Sequence, residues 1–414
     1  MRTADAGLRF AGGAFARSGG FGGADDPARL RVPVSLDGWS PLWTGLARVG
    51  GLLPPAGQPD ADPWALLRGR EHAPGRRRPD GGAFRPLSRR MPAQGPRFDV
   101  VVQPNGYAWW YIDATSHDGA YGLTIIAFVG SVFSPYYAWS GRADPEDHCT
   151  LNVSLYGPGC RSWTMTERGH QDVTRTVDHL RIGPSAVRWD RDALTIDIAE
   201  LGAPIPTPVR GTIRVYPDLL GQESFALDPA GRHRWHPIAP RARIEVEMDQ
   251  PSVRWRGSAY IDSNFGDEAL EDRFRSWNWS RAHLRHDVAV LYEGVRRDEE
   301  RFGMALRFDR QGNWQEVEAP PRATLPRTLF AMPRATRADR GYRPRVVNTW
   351  EDAPFYARSL VQTKLFGEEV LAVHESLAMN RFRSPLVLAM LPYRMPRRSP
   401  WSILAGPVAP FLAR

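Results

Sequence analysis

Along most of this chain, apolar and polar positions alternate in short runs instead of recurring at helical spacing. Residues 98–103 and 107–114 are dense in aromatic and β-branched side chains, and 148–156 and 162–167 repeat that texture. Residues 187–197 read as two strands about a charged turn. A second series follows at 211–216, 241–248, 253–262, 287–292, 304–309 and 313–318, and 364–377 reads as a closing hairpin. No charged residue falls between Asp118 and Arg142, a gap wide enough for a membrane helix of about 20 residues. Gly122, Gly130, Ser131, Ser134 and Pro135 interrupt it, so strand–turn–strand inside a barrel is the better reading. Short strands at this cadence predict a mainly β fold.

A chain of 414 residues exceeds what one core usually serves. The stiff, Pro-rich 204–209 segment is the natural boundary, giving one β domain over 98–205 and another over 210–393. An internal echo fits two related halves: Tyr111-Ile112-Asp113 with Asp118 matches Tyr260-Ile261-Asp262 with Asp267 at one offset. Residues 1–97 are too rich in Gly, Pro and Arg to bury a core, and disorder is expected for most of them. Within them Ser40-Pro41 reads as a cap and first turn, and Trp39, Leu42, Trp43, Leu46 and Val49 recur at helical spacing. Residues 394–414 form a second basic tail with a short apolar segment, too short to span a bilayer.

Charge changes the picture only once it is located. The net +8 is carried by the ends, +7 on 1–97 and +6 on 381–414, which leaves the body at −5. An acidic body argues against nucleic acid as a partner, while basic ends fit peripheral contact with an anionic membrane surface. The start lacks the apolar core of a signal peptide, which points to the cytoplasm. Cys149 and Cys160 have no redox or zinc spacing, and no phosphate loop or dinucleotide fingerprint occurs, so neither metal nor cofactor is expected.

Candidate chemistry gathers in 231–282. In a regular strand His233 and Trp235 share a face, as do Tyr260 and Asp262, and Trp277 and Trp279 follow. Arg254 and Arg256 fall on the nominal face of Asp262, which leaves open a solvent-side ion pair unless a bulge resets the alternation. Asp113 is a competing acid, its face carrying Tyr107, Trp109 and Tyr111.

That region, with the blocks GYAWWYIDATSHDGAYGLTIIAFVGSVFSPYYAW, HCTLNVSLYG, MTERG and RIGPSAVRW, resembles the acyclic carotenoid 1,2-hydratases, or hydroxyneurosporene synthases, over roughly 98–308. The resemblance implies addition of water across the terminal C1=C2 bond of neurosporene or lycopene, giving a 1-hydroxy carotenoid. It implies Asp262 as proton donor, with Tyr260 bonding that carboxyl or facing the cation, Trp235 beside the cation, and His233 as the base that orients water. Trp109, Tyr111, Asp113, Trp277 and Trp279 are then expected to line the substrate site. An unactivated alkene is a feeble base, so its acid must be kept neutral by an apolar setting. The expected architecture is two lipocalin-like, calycin-type β-barrels with disordered, Arg-rich termini. The enzyme would be a cofactor-independent hydro-lyase, peripherally held on the membrane beside other carotenoid-pathway enzymes. A non-catalytic carotenoid carrier and a related cyclase or isomerase are the alternatives.

Overall fold

A computed structural model describes residues 89–90 and 95–398. The helix expected over 39–49 and most of both basic ends lie outside the described residues. Two large sheets make the fold, and the mainly β class expected from the alternation is what they form. The first sheet has 14 strands. They are β1 (Arg89–Arg90), β2 (Tyr107–Ser116), β3 (Gly122–Val129), β4 (Cys149–Tyr156), β5 (Ser162–Arg168), β6 (Val173–Arg175), β7 (His179–Ile182), β8 (Ser185–Asp190), β9 (Ala193–Leu201), β10 (Pro208–Pro217), β11 (Glu223–Ala226), β12 (His233–Gln250), β13 (Val253–Gly266) and β23 (Arg397–Arg398). Its spatial order is β23-β5-β4-β3-β2-β13-β12-β10-β9-β8-β7-β6, with β11 and then β1 beside the start of β12.

The second sheet has seven strands in the order β17-β16-β15-β14-β22-β21-β20. These are β14 (Phe274–His283), β15 (Val288–Arg296), β16 (Arg301–Phe308), β17 (Trp314–Glu316), β20 (Arg345–Asp352), β21 (Tyr356–Leu365) and β22 (Glu368–Ala378). A small pair, β18 (Arg322–Leu325) and β19 (Arg334–Arg337), stands apart.

The central strands bury both faces, and their sequence says why. In β2, Tyr107, Trp109 and Tyr111 join one core while Ala108, Trp110, Ile112 and Ala114 join the other. The even side belongs to a core that the first sheet closes over by itself, with Ile125, Val153, Ile196, Ile213 and Val246. The odd side, richer in aromatic rings, faces the second sheet. Strands buried on both faces read as continuous apolar runs, which is how the uncharged run after Asp118 arises.

Four sequence expectations change in detail. Residues 98–103 form no strand; the Phe98 N–H donates to the Val177 carbonyl at 3.0 Å, and Arg175 Nη1 donates to the carbonyls of Phe98 and Val100 at 2.7 and 2.6 Å. The uncharged run gives β3 and then a short helix, α1 (Pro135–Trp139), not a second strand. Ser134 Oγ accepts from the Tyr137 N–H at 3.0 Å and Pro135 opens the first turn, a cap of the same Ser-Pro type read at Ser40-Pro41. The 204–209 segment is not where one sheet gives way to another. It closes the β9–β10 hairpin, with Leu201 opposite Pro208, and the change of sheet comes after Gly266. Finally, the tail begins inside the fold: Met395 is buried, β23 pairs with β5, and Arg397 joins Asp147 and Glu167.

The two echo motifs meet. Tyr260 pairs with Asp113, Ile261 with Ile112 and Asp262 with Tyr111, so the repeats lie antiparallel on adjacent strands about one local two-fold. Both acids therefore point toward the second sheet.

Candidate active site

Between the sheets lies an apolar cavity of about 1310 Å³, its open mouth included. Its lining is mostly apolar and aromatic, which suits a hydrocarbon ligand. Trp109, Tyr111, Phe128, Trp277, Trp279 and Tyr292 supply much of its wall. Partly exposed Phe133, Trp163, Glu351 and Arg394 mark the mouth, where the Arg394 guanidinium sits 4.1 Å over the Trp163 ring.

Asp262 lines this cavity and is 4% exposed. Arg254 and Arg256 do share its face of β13, but no bulge in that strand is needed to part them from it. The 14-residue strand is solvent-exposed at Arg254 and Arg256 and covered further along, at 259–264. The bulges are in the partner strand, at Pro237 and Pro240 of β12, where a missing N–H costs the ladder nothing. Two such bulges cancel in parity, so His233 and Trp235 face the aromatic core while Ile244 and Val246 face the other, as in an unbroken alternation.

Two donors converge on one oxygen of Asp262. Trp235 Nε1–H and Tyr260 O–H each donate to Oδ2 at 2.8 Å. Oδ1 is buried without a partner. An acid whose Oδ2 already accepts two hydrogen bonds carries its proton on Oδ1, the atom left free. Burial pushes the carboxyl up to about 8; the bonds from Trp235 and Tyr260 oppose this, and Glu375 and Asp113 add to it. Asp262 is thus a neutral acid near pH 7, held from one side and bare on the other.

The remaining expected residues divide between wall and support. Trp109, Tyr111, Trp277 and Trp279 line the cavity. Trp235 does not: it is fully buried behind the wall, 5.5 Å from Phe225 and 5.6 Å from Tyr292, and reaches the site only through its N–H. Tyr260 is likewise buried, its ring 5.2 Å from Trp279 and its hydroxyl on the acid. Of its two expected uses, bonding the carboxyl is the one the geometry realises.

His233 is shut off from the cavity. Its Nε2 lies 3.0 Å from Glu268 Oε1 and its Nδ1 2.9 Å from the Tyr107 hydroxyl. Burial holds the imidazole below its ordinary range, so it is neutral, with Nε2–H donating to Glu268 and Nδ1 accepting from Tyr107. Tyr107 in turn stacks on Trp109 at 4.9 Å. Both ring nitrogens are engaged and no side remains for a water, which corrects the expectation of His233 as base. Gly266 makes this packing possible, since a Cβ there would fall 2.8 Å from Tyr107 and 2.9 Å from His233 Nδ1.

Asp113 also lies off the cavity wall, and its environment is opposite to that of Asp262. Arg281 Nε donates to Oδ2 at 2.7 Å and Arg358 Nη2 to Oδ1 at 2.5 Å. Both carboxylate oxygens of Asp113 are thus engaged by guanidiniums, and neither faces the cavity. Sequence reading missed the group that does stand across from Asp262. Glu375 lies on β22 of the opposite sheet, lines the cavity, and accepts from Tyr111 O–H at 2.8 Å and from Arg358. Its signal was present, an acid alternating with Val373 and Leu377 on a core-facing strand, but nothing in the local pattern marked it.

Comparison with known proteins gives three findings. A family model described as carotenoid hydratase CrtC matches residues 125–404. An acyclic carotenoid 1,2-hydratase of Thiocapsa roseopersicina is 49% identical over 376 residues, covering 90% of this chain and 93% of that one. One from Rubrivivax gelatinosus is 49% identical over 383 residues, covering 91% and 94%.

Proposed function

The chain belongs to the carotenoid hydratase family CrtC, and on that premise we propose that it hydrates acyclic carotenoids at the terminal C1=C2 bond with Asp262 as proton donor. It is a hydro-lyase by that membership. The observation that carries the assignment of the acid is a buried carboxyl with an unpartnered oxygen on the wall of an aromatic cavity, where burial favours its neutral form.

The steps follow from the groups around it. Asp262 Oδ1–H gives its proton to C2, the alkene pair becomes the new C2–H bond, and C1 becomes a tertiary cation. Trp279, Trp277, Tyr292 and Tyr111 line the cavity and present electron-rich rings to that charge, each worth about 0.5–2 kcal/mol at such sites. Trp235 and Tyr260 hold Oδ2 and stabilise the carboxylate that remains. Water then bonds to C1 and loses a proton, leaving the tertiary alcohol.

Incubation with lycopene or neurosporene in oxygen-18 water tests this. A gain of one water, with the label in the hydroxyl, supports hydration. A polyene recovered unchanged means a carrier, and an isomer of equal mass means a cyclase or isomerase.

The substrate lives in the bilayer, so we further propose that the cavity loads from a membrane surface. Among the described residues no helix is long and apolar enough to cross a membrane. Support for peripheral contact comes from exposed Trp139, Leu386 and Tyr393, which neighbour mouth residues along the chain, with Arg383 exposed beside them. Flotation with anionic vesicles tests it: Trp139→Ala/Tyr393→Ala is expected to bind several-fold less, and equal binding removes the idea.

A further inference from the structure

With both nitrogens of His233 occupied, the water that captures the cation needs another partner. It must be polar, on the cavity wall, near Asp262, and able to take a proton. Asn152, Thr124 and Tyr292 line the cavity but are poor bases. Glu351 lines it too, but accepts from the Tyr156 hydroxyl and lies with the mouth residues.

Glu375 meets every condition. It faces the acid from the other sheet, directly opposite Trp279 in the β14–β22 ladder. The Trp279 ring is 5.5 Å from Tyr111 and 5.2 Å from Tyr260. Tyr260 donates to Asp262 and Tyr111 to Glu375, so the two carboxyls flank the same set of rings. The Glu375 side chain keeps 12% of its surface exposed. Tyr111, Arg358 and Tyr356 donate to it. A carboxylate has about four acceptor positions, so one remains for a water.

We propose that Glu375 positions the attacking water and receives its proton. This rests on the reading of Asp262 as proton donor and completes it. The exchange balances. Asp262 loses its proton to C2, the water oxygen forms the C1–O bond, and one water proton passes to the Glu375 carboxylate. The site then holds ionised Asp262 and neutral Glu375, and a proton returned from Glu375 to Asp262 through water resets it. An Arg-paired carboxylate is a weak base, but water bound to a tertiary cation is a strong acid, so a weak base suffices. Arg358 has a second use, since it offsets the burial of the Glu375 carboxylate, whereas Asp262 has only neutral donors.

The test separates protonation from water capture. In deuterium oxide a cation that is not captured loses a proton, and deuterium appears in recovered lycopene. Glu375→Gln is expected to lower hydroxylation by about 100-fold or more, while deuterium entry stays within several-fold of wild-type protonation. Asp262→Asn is expected to lose both. Hydroxylation within threefold of wild type in Glu375→Gln overturns the proposal, and so does a parallel fall of both signals in a folded, polyene-binding variant. Asp262→Asn losing neither signal overturns the earlier reading instead.

A wild-type measurement stands even where the variant does not fold. The groups facing Glu375 are Arg358, Tyr111, Tyr356 and Asp113, with Asp262 across the cavity. Burial raises its carboxyl above the ordinary range while Arg358 opposes. The ratio of hydroxylation to deuterium entry should fall as pH drops and Glu375 takes up a proton; a ratio that stays constant over the whole pH range in which the protein remains folded overturns the proposal.

Discussion

Replacing Asp262 by Asn separates the chemistry of the acid from its cost to the fold. The carboxyl is pushed up to about 8 by burial, against about 3.9 in an unfolded chain. The folded state therefore holds a proton that the unfolded state releases, and stability falls as pH climbs from about 4 to about 8. Four units at about 1.36 kcal/mol each give a penalty of roughly 5 kcal/mol, complete above pH 8, with about 4 kcal/mol of it in force at pH 7. Asn keeps an oxygen for Trp235 and Tyr260 but does not titrate. Its stability relative to wild type should be lowest near pH 4, about 1.5 kcal/mol higher at pH 5, and several kcal/mol higher by pH 9. Urea unfolding at pH 5, 7 and 9 reads this difference, and titrating groups remote from Asp262 cancel between the two proteins. Hydration should fall by about 10²–10⁴ in the same variant. A difference that is the same at pH 5 and pH 9 would refute the neutral acid, whatever the activity does. The same titration sets the alkaline limb of wild-type hydration, which should decline as pH passes about 8.

Three further substitutions examine the surroundings. Trp235→Phe removes a donor that favours the carboxylate, so the alkaline limb should move up by about one pH unit and the rate fall about tenfold; an unmoved limb means the indole N–H does not tune the acid. His233→Gln should keep hydration within about tenfold while losing about 1–3 kcal/mol of stability, read by hydration assay and urea midpoint; a loss as deep as that of Asp262→Asn would restore the imidazole to the chemistry. Trp279→Leu should reduce turnover about 3- to 30-fold with the deuterium signal reduced alongside, because it removes a ring from the wall where the cation forms; unchanged turnover would place the cation elsewhere.

How much of this could be read beforehand varies by residue. Alternation identified the strands, and Trp235 and Tyr260 do meet at Asp262, while His233 bonds Glu268 and Tyr107 instead. The tertiary arrangement was less legible. His233 and Trp235 read as site-facing because a strand face says which way a side chain points, not what covers it; Tyr107 and Trp109 stand between His233 and the cavity. The Pro-rich 204–209 segment read as a linker because stiffness looks the same in a turn and between domains. Only the Leu201–Pro208 pairing distinguishes them. Glu375 was invisible for a different reason. Its importance depends on Tyr111 and Arg358, 264 and 17 residues away, and no local pattern encodes such a meeting.

The paired Tyr-Ile-Asp motifs show how one local pattern yields two opposite electrostatic states. Asp113 and Asp262 occupy equivalent places about the Ile112–Ile261 pair, on the same sheet face, each beside the other motif's tyrosine. The strands cannot account for their difference, so it must come from what the second sheet brings to each. Opposite Asp113 it brings Arg281 and Arg358, two fixed cations that make the anion cheap. Near Asp262 it brings Trp279 and Tyr292, rings that exclude water and offer no charge, while β12 adds the N–H of Trp235. Coulomb attraction wins at the first carboxyl and desolvation at the second. An Arg281→Leu/Asp262→Asn pair tests this division: with one cation gone Asp113 is still held by Arg358 and still off the cavity wall, so hydration should not be rescued. Recovery of hydration in the double variant would mean that charge pairing at Asp113, not the lone oxygen at Asp262, decides which acid gives its proton.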